Sequence, residues 1–528
     1  MPNYSTISAA EGSASTGEMA RNRRARGQKD GTGGGQASMI SSVINLLNTI
    51  VGAGTLAMPS AVSHFGMVIG IIVILWSGFT SAFGLYLQSR CARYIDRGSS
   101  SFFALSQMTY PNAAVIFDAA IAVKCFGVGV SYMIIIGDLM PGVVEGFDAR
   151  AADVPFLMDR NFWITVFMLV IIPLSFLRRL DSLKYTSIVA LVAIGYLIVL
   201  VVYHFAAGPL APRDNVRLVT WGGPVEALAS LPVVIFAYTC HQNMFSILNE
   251  IQNNSPASIM GVISSSIGSA AGIYVLVAIT GYLTFGNDVT GNIVSMYAPS
   301  IASTIAKAAI VILVTFSIPL QVHPCRASVD AVLKWRPRTA ATQQRTSSPG
   351  GRPLLQSTQA RSDHGPGAPL SEMRFALLTT VILILAYIVA LTVVSLERVL
   401  AYVGSTGSTS ISFILPGLFY YKIADPDSIH QQRLSKEDDD MSPSASEVED
   451  ADEGLLGASV GSVQSARSGS SARATGTNSP WRWRRKFRWD LEHMSPLLLR
   501  RAALALAIYG ICVMAVCLAM NMVGAVAH

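Results

Sequence analysis

The chain has 528 residues, 51% of them hydrophobic and only 13% charged, with a mean hydropathy of +0.47 and a formal net charge of +6. Ordinary soluble chains carry about 25% charged residues, so the composition excludes a soluble globular protein and points to an integral membrane protein. Cys91, Cys125, Cys240, Cys325, Cys512 and Cys517 lie in or beside apolar runs and form no disulfide framework or CxxC metal pattern.

In chain order, residues 1–38 are polar and carry Arg21, Arg23, Arg24, Arg26 and Lys29 without the apolar core of a signal peptide. They read as a disordered cytosolic tail. Runs of about 20 apolar residues, the length a helix needs to cross a bilayer, then follow at 39–62, 66–88, 113–140, 161–177, 184–206, 226–248, 257–284, 302–323, 374–396, 399–422 and 499–524. Eleven crossings are expected. Lys and Arg concentrate in alternate loops, and their excess on the cytoplasmic side puts the N-terminus in the cytosol and the C-terminus outside or in a lumen. Segments 327–373 and 423–480 are rich in Ser, Pro, Gly, Arg and acidic residues and cannot bury enough apolar surface to order themselves. Both read as disordered cytosolic segments, the second within a 423–497 loop that precedes the last helix at 498–528. KEDDDMSPSASEVEDADEGLL suits phosphorylation and cytosolic regulatory partners, although a solvated linker is the simpler reading. WRWRRKFRW, 481–489, reads as an anchor to anionic lipid, because tryptophan and arginine favour the interface and no nucleic-acid-binding fold surrounds it. The N-x-S/T matches at Asn3 and Asn253 fall on cytosolic segments, so no glycosylation is expected.

The first span contains NTIVGAGTLAMP, Asn48 to Pro59. Gly52 and Gly54 lower helix propensity at mid-membrane, and Pro59 removes a backbone donor. A broken helix is tolerated in hydrocarbon only where it faces a polar cavity or buried protein. There the N–H groups opening a half-helix suit a carboxylate, while unwound carbonyls suit an amine or cation. Those are the two ends of an amino acid. The competing explanation is close helix packing on small residues. The sixth span has a matching interruption in FAYTCHQNMFSILNE, Phe236 to Glu250, where His241, Gln242 and Asn243 cluster inside an apolar stretch. Defects five spans apart are what two inverted five-helix repeats predict, here 39–206 and 226–422, with an eleventh helix appended.

NLLNTIVGAGTLAMP, GVGVSYMIIIGDLMP (127–141), PLSFLRRLDSLKYTS (173–187), FAYTCHQNMFSILNE and SIPLQVHPCR (317–326) together resemble the amino acid/auxin permease family. The likeness is to fungal vacuolar amino acid transporters and the related sodium-coupled neutral amino acid transporters, and covers nearly all of 39–422. It implies an all-α integral membrane protein with a LeuT-like 5+5 inverted repeat and one extra helix. Substrate would bind between helices one, three, six and eight, at Val51, Gly52, Ala53, Gly54, Thr55, Tyr238, His241 and Gln242. The first-helix asparagine that helps bind sodium or tune coupling matches Asn48, and the helix-eight hydroxyl of the sodium site falls at Ser317, where the animal proteins carry threonine. His241 belongs to the vacuolar branch's CHQN, and that branch is generally proton-coupled.

Lys124 is an intramembrane charge, which by default marks function; a role in coupling stands beside snorkelling or pairing with a carbonyl. Asp118, six positions away, is on another helical face. His323 and Arg326 read as an ordinary basic end to the eighth span, and Asp138 as a gate or a cap. The resulting expectation is a secondary transporter of amino acids at the vacuolar or another endomembrane, proton-coupled and exporting from lumen to cytosol by alternating access. An amino-acid sensor signalling to a cytosolic partner and sodium-coupled uptake at the plasma membrane are the alternatives. No HExxH, GxSxG or P-loop occurs in a suitable context, so no enzyme, cofactor, metal or nucleic-acid partner is expected.

Overall fold

The fold is given by a computed structural model, which describes residues 35, 37–95, 98–177, 186–335, 371–425 and 496–526. Helix follows helix. The one extended pairing among the described residues joins Ala37 to Ile251. In order, the described α-helices of eight residues or more are α1 (Met39–Ile50), α2 (Ala53–Phe65), α3 (Met67–Ala92), α4 (Phe102–Thr109), α5 (Ala114–Phe147), α6 (Arg160–Ser175), α7 (Thr186–Ala207), α8 (Pro224–Ala237), α9 (His241–Glu250), α10 (Pro256–Phe285), α11 (Ile301–Lys334), α12 (Glu372–Thr392), α13 (Leu396–Val403), α14 (Leu415–Ile423) and α15 (Pro496–Val526). Their starts are written in serine and aspartate: Ser38, Ser101, Asp159 and Ser255 each accept a first-turn backbone N–H, and Ser300 and Ser303 form a reciprocal capping box at α11.

By length and apolarity, eight helical stretches among the described residues qualify as membrane spans, and nine when α1 and α2, bent by 55° at their break, are taken as one. The expected count of eleven is not reached on those terms. Expected spans four and ten are present as helices, but α6 is short at 16 residues. The tenth is divided into α13, π-helical turns over Gly404–Ser408 and Ser410–Ile414, and α14. Large side chains such as Phe79, Leu169, Val192 and Val199 are exposed on the long helices. In lipid that is their proper place, since tails are as apolar as leucine.

The chain divides into two compact units, 1–420 with 503–528, and 421–502. In the first, α5 and α11 share the most extensive contact and are flanked by α6, α7 and α12, while α10 lies against α1, α2 and α3. Small residues set the approach where apolarity provides no drive: an added Cβ on Gly127 would strike Val403, and one on Gly404 the Pro232 carbonyl. In the second unit, Arg500 donates from Nε to the Tyr421 carbonyl at 3.1 Å and pairs with Asp425 at 3.1 Å.

The largest difference in a boundary from the sequence reading is at the end of α11. α11 runs on to Lys334, eight residues into the segment 327–373 expected to be disordered. Local charge explains it. Asp330 pairs with Lys334 at 2.8 Å and with Arg374 at 3.6 Å, and Arg326 donates to Thr379 Oγ1 at 2.9 Å while lying 3.9 Å from the Phe375 ring centre. Arg326 is therefore a buried clamp between α11 and α12 rather than an interfacial charge. Residues 336–370 of that segment, the tail before residue 35, the acidic serine-rich block and 481–489 lie outside the described residues.

Candidate functional site

Two helix breaks meet inside the first unit. α1 stops at Ile50, Val51 turns extended, and Gly52 (φ −151°, ψ −136°) leads into α2, whose first turn has no side-chain cap. α8 stops at Ala237, and after Tyr238, Thr239 and Cys240 the chain starts α9 at His241, again without a side-chain cap. Each break exposes carbonyls that the ended helix no longer satisfies. One side chain serves both. The Tyr274 hydroxyl, from α10, lies 2.7 Å from the Ile50 carbonyl and 2.8 Å from the Ala237 carbonyl, so a single proton is shared between them. α3 serves the second break: Ser81 Oγ donates to the Tyr238 carbonyl at 3.1 Å and Gln88 Nε2 to the His241 carbonyl at 2.8 Å. Asn243 Nδ2 crosses from α9 to Thr49 Oγ1 on α1 at 2.7 Å.

The expected substrate residues divide by environment. A Cβ on Gly54 would lie 2.5 Å from the Ala237 Cβ and 2.8 Å from its Cα, so Gly54 exists for contact between α2 and α8. Gly52 is different. The nearest atom to a Cβ there is the Tyr132 hydroxyl of α5, 4.0 Å away, and around Gly129, one turn earlier on α5, there is open space. Val51, Ala53 and Thr55 are buried beside it. Asn48 Oδ1, Gln242 Oε1 and Tyr238 Oη are buried without a hydrogen-bond partner among the described residues. Tyr238 turns toward α3, its hydroxyl 3.2 Å from where a Gly78 Cβ would be, and its ring meets Tyr274 edge-on at 5.1 Å. His241 is fully buried, with Nε2 against Gly84 of α3.

The coupling candidates are not gathered in one place. α1, with Asn48, packs on α10, α9 and α7, whereas α11, with Ser317, packs on α5, α7, α6 and α12. Ser317 Oγ turns back to donate to the Leu313 carbonyl at 2.8 Å. Lys124 is buried on α5, its backbone N and Cβ 2.9 and 2.8 Å from where a Gly407 Cβ would be. Asp138 pairs with Arg160 Nε at 3.6 Å, joining α5 to α6. Tyr274, Tyr132, Ser81 and Gln88 were not singled out in the sequence. Gln88, an amide inside an apolar run, carried a signal of the same kind as Gln242.

Paired half-helix starts, buried and uncapped beside an open space, suit a small zwitterion. The family profile described as "Transmembrane amino acid transporter protein" matches residues 35–439. The chain belongs to this family. A transmembrane amino acid transporter is not an enzyme, in keeping with the missing catalytic motifs. It is similar to Vacuolar amino acid transporter 5 of Schizosaccharomyces pombe, 43% identical over 409 residues that cover 76% of this chain and 90% of the relative. More distantly, Sodium-coupled neutral amino acid symporter 2 of Danio rerio is 22% identical over 75% of this chain and 77% of that protein. Among solved structures, MhsT in complex with L-phenylalanine matches with a TM-score of 0.48 at 13% identity, over 75% of this chain and 94% of that one.

Proposed function

We propose that this transporter carries amino acids across the vacuolar membrane by alternating access, coupled to protons and directed from lumen to cytosol. The observation that carries the reading is the pair of facing helix breaks tied by Tyr274, with room for a methyl between Gly52 and the Tyr132 hydroxyl and open space at Gly129. The vacuolar setting is supported by the names of the relatives. In this reading the chain crosses eleven times, with its N-terminus cytosolic and its C-terminus luminal, as the Lys and Arg distribution favours. The substrate carboxylate meets the backbone at the start of α2, over Gly52, Ala53 and Gly54, lined by Val51, Thr55 and Tyr238. Gln242 Oε1 and the carbonyls of the break receive the amine. Asn48 and Lys124 tune coupling. Ser317 contributes little, since its hydroxyl already serves its own helix.

His241 is the proposed coupling group. A histidine changes charge in the interval between an acidic lumen and a neutral cytosol, and His241 opens the half-helix that follows the second break. The test is purified full-length protein in liposomes with an imposed pH or sodium gradient and a panel of labelled amino acids, compared with His241→Gln. Loss of pH-driven flux with gradient-free exchange preserved supports coupling through His241. Equal loss of both leaves it a structural role, and flux that follows sodium alone rejects the proton.

A further inference from the structure

At the end of the bundle away from the start of α1, α2, α8 and α13 meet in a polar knot that the central site does not use. His64 stands at the last turn of α2 with a carboxylate on each side. Its Nδ1 is 3.5 Å from Glu226 Oε2 at the start of α8, and its Nε2 is 3.3 Å from Glu397 Oε1 at the start of α13. Glu397 also accepts hydrogen bonds from Ser60 Oγ of α2 at 2.7 Å and Ser230 Oγ of α8 at 3.0 Å. The connection before α8 closes the knot: Gly222 N–H donates to the His64 carbonyl at 2.9 Å, and Arg217 lies 3.9 Å from Glu226. From the connection after α10, Gly291 packs on the backbone of Glu397, while Asp288 is turned away to accept from Asn215.

The number of protons follows from the geometry. A neutral imidazole donates from one nitrogen and presents a lone pair at the other, whereas the charged ring donates from both. Here both nitrogens face carboxylate oxygen. With the ring charged, His64 and Arg217 balance Glu226 and Glu397. With it neutral, two carboxylates share one cation, and one of them meets a lone pair. Proton binding and closure of these three helix ends therefore favour each other.

We propose that His64, held between Glu226 and Glu397, is a proton-binding site separate from the central cleft, and that its proton latches the luminal end of the bundle shut. The inference rests on the orientation proposed above for the word luminal; the latch itself rests on the contacts of α2, α8 and α13. Closure is favoured at pH below the titration of His64 and is lost as pH rises through it. In an acidic lumen the transporter rests with this end closed, and neutralising the lumen releases it. His64 acts by holding helices together and not by touching substrate.

The test uses full-length protein in liposomes at equal pH on both faces, so that no gradient acts and the direction of insertion is immaterial. Counterflow of a labelled mixture of proteinogenic amino acids is followed between about pH 5 and about pH 7.5, the range in which histidine changes charge. Wild-type exchange is expected to be about tenfold slower at the acid end, a typical coupling between two sites. His64→Gln should flatten the profile and keep the fast rate, and His64→Lys, which keeps a cation between the carboxylates, should hold exchange slow throughout. Glu226→Gln, at a half-exposed side chain, should flatten the profile as well. A wild-type profile retained by both His64→Gln and Glu226→Gln overturns the latch, as does a profile abolished by His241→Gln alone. Absence of counterflow in the wild type at every pH rejects the transport reading, and the latch with it.

Discussion

Gly52 and Gly54 stand two residues apart in one motif, yet their surroundings call for opposite outcomes on substitution. In Gly54→Ala the new methyl would lie 2.5 Å from the Ala237 Cβ and 2.8 Å from its Cα. Ordinary contact is about 3.5–4.0 Å, so α2 and α8 have to part by roughly 1 Å at the point where both lead into their breaks. Over-packing of this kind costs about 1–3 kcal/mol. At Gly52 the same methyl finds its nearest neighbour 4.0 Å away, at the Tyr132 hydroxyl, and fills space assigned to substrate. Gly54→Ala is therefore expected to lower the thermal midpoint of detergent-solubilised protein and its abundance, and Gly54→Val to do so more strongly. Gly52→Ala should leave the midpoint unchanged and weaken apparent substrate affinity. Melting curves read alongside liposome uptake separate the two. A Gly54→Ala protein that melts like wild type, or a Gly52→Ala protein that loses stability and keeps its affinity, would refute the division.

Tyr274→Phe removes the proton shared by the Ile50 and Ala237 carbonyls and leaves buried acceptors unsatisfied, at about 1–3 kcal/mol; a lowered melting midpoint with slowed transport is expected, and wild-type behaviour in both would show that water replaces the hydroxyl. Asn48→Ala should change apparent affinity or coupling, whereas Ser317→Ala should change neither, since its hydroxyl is taken up by Leu313. A large coupling defect in Ser317→Ala, measured as substrate flux per pH unit of gradient, would restore the sodium-type site.

The positions of the spans were legible because a bilayer dictates them: the run 226–248 became Pro224–Glu250, and 257–284 became Pro256–Phe285. The break at Gly52 was legible for a related reason, since glycine and proline in hydrocarbon need a partner or a cavity. The partner itself was not. Tyr274 sits in an apolar run where an aromatic is ordinary packing, and only the fold brings its hydroxyl to carbonyls from two other helices. Gly52 and Gly54 look alike until Ala237 is placed beside one of them. His64 and Glu397 are separated by more than three hundred positions, and neither lies in a recognisable motif, so their contact was beyond any local pattern. The continuation of α11 to Lys334 was hidden in the same way. The composition there is that of a solvated loop, but Arg374, which helps hold Asp330, comes from the far side of the intervening segment.

The buried lysine on α5 remains to be accounted for in this arrangement. Lys124 is 4% exposed and makes no hydrogen bond or ion pair among the described residues. Its backbone is pressed on Gly407, within the π-helical turns that lead from α13, so its side chain starts where α5 and the tenth helix converge. A structural lysine in such a place would have a partner, because an unpaired donor costs about 1–3 kcal/mol. A lysine kept for transport would accept that cost in the resting state and find its partner in substrate or in another conformation. Lys124→Met, similar in length and apolar, decides between them. The expected result is a raised melting midpoint together with loss of gradient-driven uptake, measured on the same preparation. A lowered midpoint would mean that the lysine holds the fold, and a raised midpoint with normal uptake would mean that transport has no need of it.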